Sequence, residues 1–194
     1  MKRIVLLSTF VPSKEIFDLV FPADLESKVL AYMPSDGANM RAKYIEEWES
    51  YAKERGVVFN LIDNSKVDSR EEVEKLMRSN ILVITGGNSF TLLSNLKRSG
   101  MDKVIGDFAK KDNFVLMGMS AGALVLTPTI EVCNLPSYDN NDVGLEDLSG
   151  LSLVDFEIFP HYSKEYEEDL NIYRKRAKNK VREIVDGDSI LFDL

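Results

Sequence analysis

One cysteine and one histidine occur in 194 residues, and each scarcity removes a class of protein. Cys133 has no second thiol, so no internal disulfide can form and a reducing setting, the cytoplasm, is expected. Met1-Lys2-Arg3-Ile4 runs straight into strand-like residues without a signal-peptide pattern. One histidine and one cysteine leave only carboxylates as metal ligands, so neither a metal site nor a cofactor is expected. No apolar run approaches the roughly 20 residues of a bilayer span, which sets membranes aside as partners. Positive charge is also short: 24 Lys+Arg face 32 Asp+Glu, a formal charge of −8 that disfavours nucleic acid. A homodimer is kept open as the oligomeric state.

What is present is a pattern of short apolar runs. Residues 3–8, 28–33, 57–62, 80–85 and 113–119 are rich in Val, Ile and Leu, and each ends at Gly, Pro, Asn or Asp, the pattern of strands buried on both faces. Helical spacing lies between them: Tyr44, Ile45, Trp48, Tyr51 and Ala52, then Phe90, Leu93 and Leu96, then Met101, Val104, Ile105 and Phe108. Strands alternating with helices imply right-handed crossovers, hence an α/β three-layer sandwich with a mostly parallel sheet and a site at the carboxyl ends of its strands. The chain reads as one domain, residues 1–194. Regularity lapses over residues 127–150 and returns with a strand over 151–159. A helix carrying Tyr166, Leu170, Tyr173, Ala177, Val181 and Ile184 follows, then a last strand over 189–192.

The chemistry sits where the strand Phe114-Val115-Leu116-Met117 enters Gly118-Met119-Ser120-Ala121-Gly122-Ala123, a Gly-x-Ser-x-Gly turn with a strand before it and helix-forming residues after it. Such a turn holds a serine hydroxyl exposed in a strained conformation, which requires small neighbours. Ser120 is the candidate nucleophile, and the Ala121 N–H at the start of the next helix is the candidate oxyanion donor. A second turn, Thr85-Gly86-Gly87-Asn88-Ser89, ends at the same sheet edge and offers a backbone N–H near Gly87. Asn88 is read both as a helix cap and as a substrate contact. His161 has no rival as general base for the serine. The orienting acid is expected between the two in sequence: Asp139 is the candidate taken, with Asp142 and Glu131 as alternatives. Arg174 or Arg176 on the late helix could hold a substrate carboxylate through its planar fork, against the plainer reading of a solvated helix face.

Taken together, Gly86-Gly87-Asn88-Ser89-Phe90, Gly118-Met119-Ser120-Ala121-Gly122-Ala123, Pro128-Thr129-Ile130 and Pro160-His161-Tyr162 resemble peptidase family S51, which includes dipeptidase E and the cyanophycinases. The resemblance implies a class I glutamine amidotransferase-like fold with serine at the elbow. It implies Ser120 as nucleophile, His161 as base, the N–H groups of Gly87 and Ala121 as oxyanion hole, and small peptides as substrates, among them dipeptides with N-terminal aspartate. Two features depart from the family pattern: Leu135 follows Asn134 where the dipeptidases have an acid, and the C-terminus at Leu194 is short. Two other readings stay open, an α/β-hydrolase-type esterase and a non-catalytic member of the fold with an incomplete triad.

Overall fold

The apolar runs become strands whose alternate residues face opposite sides, and both sides are covered. The computed structural model describes residues 1–9, 28–37 and 42–194, the side chain of Ala42 excepted. Six strands, β1 (Lys2–Leu7), β2 (Val29–Met33), β3 (Val58–Leu61), β4 (Ile81–Ile84), β5 (Phe114–Met119) and β8 (Ser189–Asp193), form one sheet in the order β3-β2-β4-β5-β1-β8. All neighbours run parallel except β8, which is antiparallel to β1. Val5, Leu7, Val83 and Met117 face one side, against Trp48 and Ala52 of α1 (Ala42–Glu54). Ile4, Leu6, Ile84 and Leu116 face the other, against α2 (Arg70–Arg78), α3 (Ser89–Ser99), α4 (Met101–Phe108) and α5 (Ala121–Val125). This is the expected three-layer arrangement, and the double burial explains why these strands read as continuous apolar runs.

Two expectations are corrected here. The strand foreseen over 151–159 is only β6 (Glu157–Pro160). The helix foreseen through Ile184 stops at Arg176, so α6 spans Glu167–Arg176 and Val181–Ile184 is a separate strand, β7, parallel to β6. A buried carboxylate explains the break. Glu157, 1% exposed, accepts hydrogen bonds from the Asn179 N–H at 3.2 Å and the Asn179 side-chain amide at 3.0 Å, and also from the Tyr173 hydroxyl. A buried charge is costly unless hydrogen bonds satisfy it, and Asn179 reaches it only if the chain leaves the helix. Ala177 is already extended (φ −61°, ψ 140°), and Val181 and Ile184, β-branched, suit the strand that follows.

The topology brings three strand ends to one edge. Leu7 pairs with Met119 and Ile84 with Gly118, so Ser8, Ser120 and the turn after Ile84 lie side by side. Because β8 is antiparallel, its first residue, Ser189, pairs with Leu7, and the turn before it arrives at that edge too. Pro160 pairs with Ile184, which sets the residues after β6 and β7 next to each other.

Candidate active site

Ser120 lies at φ 49°, ψ −113°, a conformation few L-residues adopt. Its N–H donates to the Leu7 carbonyl at 2.9 Å and its carbonyl accepts from the Leu124 N–H at 2.9 Å, which fixes the backbone on both sides. The flanking glycines are required by close approach. A Cβ on Gly118 would lie 2.4 Å from the Gly122 carbonyl oxygen, and one on Gly122 would lie 2.2 Å from that of Ile84. The elbow is thus wedged between its own helix and β4, and the hydroxyl projects from the sheet edge.

Ser120 Oγ is 2.8 Å from His161 Nε2. The other ring nitrogen, Nδ1, is 2.8 Å from Asp186 Oδ1. A carboxylate can only accept, so Nδ1 carries the proton, and Nε2 is left to accept from the Ser120 hydroxyl. His161 also has a positive φ, 59°, and its N–H donates to Ser8 Oγ at 2.6 Å. The Ser8 hydroxyl in turn donates to Asp186 Oδ1 at 2.8 Å. Ser8, fully buried, therefore holds the imidazole's backbone and its carboxylate together. Burial pulls the Asp186 carboxyl upward, but the hydrogen bonds from Ser8 and His161 outweigh it and hold the group below the usual carboxylate range.

The acid on the imidazole is thus Asp186 and not Asp139. Asp186 sits in the turn Val185-Asp186-Gly187-Asp188 between β7 and β8, where Gly187 takes φ 92°. It follows His161 in the chain, so a search confined to residues between serine and histidine could not find it. The available signal was the Asp-Gly turn between two β-branched stretches, obscured by the helix read through Ile184. Ser8, at the end of a strand, has no sequence signature at all. Asp139 lies nearby, but its Oδ2 accepts from the Ser89 N–H at 2.7 Å. Asp142 is exposed, and Glu131 lines a different cavity.

The remaining candidates separate clearly. Asn88 caps α3, its Oδ1 accepting from the Thr91 N–H at 2.9 Å and its Nδ2 donating to the Asn140 carbonyl at 2.9 Å, so both ends are spent on structure. Gly87 has φ 143°, and a Cβ there would fall 2.0 Å from Ser35 Oγ. The Gly86 carbonyl accepts from Ser35 Oγ at 2.7 Å, and the trans peptide then turns the Gly87 N–H away from Ser35. Ala121 is the first residue of α5, so its N–H has no intrahelical acceptor. Arg174 pairs with Glu183, and Arg176 lies over the Tyr173 ring at 5.4 Å. Both arginines are exposed and neither lines a cavity beside Ser120, which removes the expected carboxylate clamp. Among the described residues no group of three or more His, Cys, Asp or Glu could hold a metal ion, and no helix is long and apolar enough to cross a membrane.

A serine, an imidazole and a carboxylate joined in series at the carboxyl edge of a parallel sheet define a hydrolase-type site on a class I glutamine amidotransferase-like fold. The chain belongs to peptidase family S51, whose sequence profile matches residues 13–193. It is 29% identical over 167 residues to an uncharacterized peptidase, PM1590, of Pasteurella multocida (strain Pm70), covering 84% of this chain and 78% of that protein. It is 24% identical over 170 residues to peptidase E of Shigella flexneri, covering 84% of this chain and 69% of that protein. A crystal structure of a Listeria monocytogenes EGD-e protein, assigned provisionally to peptidase E, superposes with a TM-score of 0.79 at 26% identity, covering 99% of this chain and 94% of that one. The chain is therefore a peptidase of a serine-type family, and family membership displaces the α/β-hydrolase esterase reading.

Proposed function

We propose that this peptidase cleaves short peptides through an acyl-enzyme formed on Ser120. The observation that carries the reading is the unbroken series Ser120–His161–Asp186, with 2.8 Å at each link. Ser120 Oγ attacks the scissile carbonyl carbon while His161 Nε2 takes its proton. The N–H groups of Ala121 and Gly87 receive the developing oxyanion. His161 returns the proton to the leaving amine, the C–N bond breaks, and water attacks the ester by the same route reversed. Asp186 fixes the tautomer and steadies the imidazolium without taking the proton. Its presence removes the reason for reading the chain as a non-catalytic member, which rested on Leu135 standing where the family's dipeptidases have an acid.

The aspartyl preference implied by the resemblance would require a cation facing the cavity. Arg174 and Arg176 are engaged elsewhere, so the proposal is for short peptides in general. A cytoplasmic site of action is part of the same reading: the lone thiol, Cys133, is buried and pushed up to about 12 by that burial, unreactive and suited to a reducing compartment.

A fluorophosphonate probe tests the reading directly, since only an activated serine reacts. Wild-type protein should be labelled, with the adduct mapped to Ser120 by peptide mass spectrometry. An unlabelled protein, or an adduct on another residue, sinks it. A second expected result concerns Ser8. Ser8→Ala strips a hydrogen bond from Asp186 and from the His161 backbone at once, and kcat should fall about ten- to hundredfold, the scale of one to two lost bonds to a charged partner. Steady-state kinetics on any turned-over peptide checks this, and an unchanged kcat would show that the imidazole needs no such support.

A further inference from the structure

The Ser120–His161 pair stands between two cavities of opposite character. One, of about 330 Å³, is lined by Ser89, Ser137, Tyr138, Asp139 and Tyr166. The other, of about 230 Å³, is lined by Tyr32, Tyr44, Trp48, Met119 and Gly86. Both adjoin the serine and the histidine; the first lies at the lower end of the range of ligand pockets, about 300–1,000 Å³, and the second below it, which suits one residue of substrate on each side. Apart from His161, Asp139 is the only ionisable acid or base on the described wall of the first cavity other than its tyrosines.

Asp139 is held in place from three directions. Its Oδ2 takes the Ser89 N–H at 2.7 Å, at the start of α3. The carbonyl of Asn140, next in the chain, is tied to Asn88 Nδ2 at 2.9 Å. The hydroxyl of Tyr138, on the other side, donates to the Pro160 carbonyl at 2.8 Å, and burial pushes that phenol up, so it stays a neutral donor. Among the described residues Asp139 Oδ1 has no partner. A carboxylate fixed in this way on the wall of a cavity, with one oxygen unpartnered among the described residues, is preorganised for a cation.

A short unblocked peptide has a charge direction: α-ammonium at the acyl end, α-carboxylate at the leaving end. Asp139 attracts the first and repels the second, so charge alone orients the chain across Ser120. A first residue with an acidic side chain would bring a second carboxylate beside Asp139, with no cation on the described wall to offset it. The aromatic cavity would receive the side chain of the second residue, where burying apolar surface is the available gain. We infer that the cavity bearing Asp139 binds the α-ammonium and a neutral or basic side chain of the first residue, and that the cavity of Tyr32, Tyr44 and Trp48 binds an apolar second residue. The substrate class is unblocked short peptides of that form, and not aspartyl peptides. The inference rests on the serine mechanism proposed above.

The test is steady-state kinetics of the full chain on Leu-Phe, Lys-Phe, Leu-Gly, Asp-Phe and N-acetyl-Leu-Phe. The kcat/KM for Leu-Phe and Lys-Phe should exceed that for Asp-Phe and for the acetylated peptide by about tenfold or more, since the first sets a second negative charge beside Asp139 and the second removes the positive charge that Asp139 attracts. In Asp139→Asn both ratios should shrink by about tenfold, with the loss for Leu-Phe mainly in KM. Ratios within one preparation do not depend on the folded fraction, so a partly unfolded variant still reports. Tyr44→Ala should narrow the preference for Leu-Phe over Leu-Gly. If Asp-Phe is the best substrate, or the ratios survive in Asp139→Asn, while Ser120→Ala is inactive, the subsite assignment is overturned and the serine mechanism stands. Turnover in Ser120→Ala overturns both.

Discussion

Asp186→Asn should lower kcat by about three to four orders of magnitude with little change in KM, the scale set when an orienting carboxylate is replaced by an amide in a serine–histidine site. The cause is the tautomer. Asparagine in that position can present its amide N–H to Nδ1, which moves the imidazole proton to Nε2 and removes the acceptor that the Ser120 hydroxyl needs. Ser120→Ala and His161→Ala should each reduce kcat at least as far, and combining either with Asp186→Asn should cost little more, because residues that act as one unit are not additive. Asp139→Asn is the contrast, acting mainly on KM. A full kinetic set on one good peptide checks this, and equal losses in kcat for Asp139→Asn and Asp186→Asn would contradict the division of labour. The same carboxylate predicts a dependence on pH. Its folded-state pKa lies below the ordinary value, so its contribution to stability is present above the unfolded pKa and is lost as pH falls through the folded one. The gap in melting temperature between wild type and Asp186→Asn should therefore be open at neutral pH and close in acid. With the Asp186 side chain 58% exposed, solvent screens the effect and the gap should be modest.

How much of this was legible in the sequence depended on where each signal was local. The four central strands of the main sheet are buried on both faces, and their apolar runs end where the topology turns, so β1, β2, β4 and β5 could be read within a residue or two. The elbow was legible for the same reason: the spacing of Gly118, Ser120 and Gly122 records contacts made within five residues of chain and against one neighbouring strand. His161 was legible by elimination, being the only imidazole. The acid was not. Its position depends on β7, and β7 exists because Asn179 answers a buried carboxylate 22 residues upstream, at Glu157. Val181 and Ile184 continue a helical spacing from Tyr173 and Ala177, so periodicity alone favoured the wrong element. That single misreading hid the strand, the Asp-Gly turn after it, and the residue in the turn. Asn88 was legible as a helix cap, and that cap is what occupies the side chain read also as a substrate contact; the arginines matched a role by residue type, but the Glu183 carboxylate beside Arg174 and the Tyr173 ring beneath Arg176 are tertiary facts.

Gly122→Ala should destabilise the fold by about 3 kcal/mol, the upper part of the usual cost of overpacking. The added methyl would meet the Ile84 carbonyl oxygen at 2.2 Å, the Ile84 carbonyl carbon at 2.7 Å and the Thr85 carbonyl oxygen at 2.9 Å. All three are backbone atoms of β4 and its exit, with no rotamer to yield, so either the elbow or the Gly86–Gly87 turn must move. In a domain of this size that loss corresponds to a fall of roughly 6–12 °C in melting temperature. Whatever protein remains folded should be impaired as well, since a shift of about 1 Å between reacting groups costs on the order of a hundredfold in rate. Gly106→Ala is the matched control. Gly106 lies in α4, a Cβ there meets nothing within 4 Å, and its φ is not positive. Helix propensity alone then favours alanine by about 1 kcal/mol, and the melting temperature should rise by roughly 2–4 °C. The two substitutions add the same methyl group, so opposite signs can come only from what surrounds it. A Gly122→Ala protein as stable and as active as wild type would mean that the serine is not wedged against β4 in this way, and the strained backbone at Ser120 would lose its physical cause.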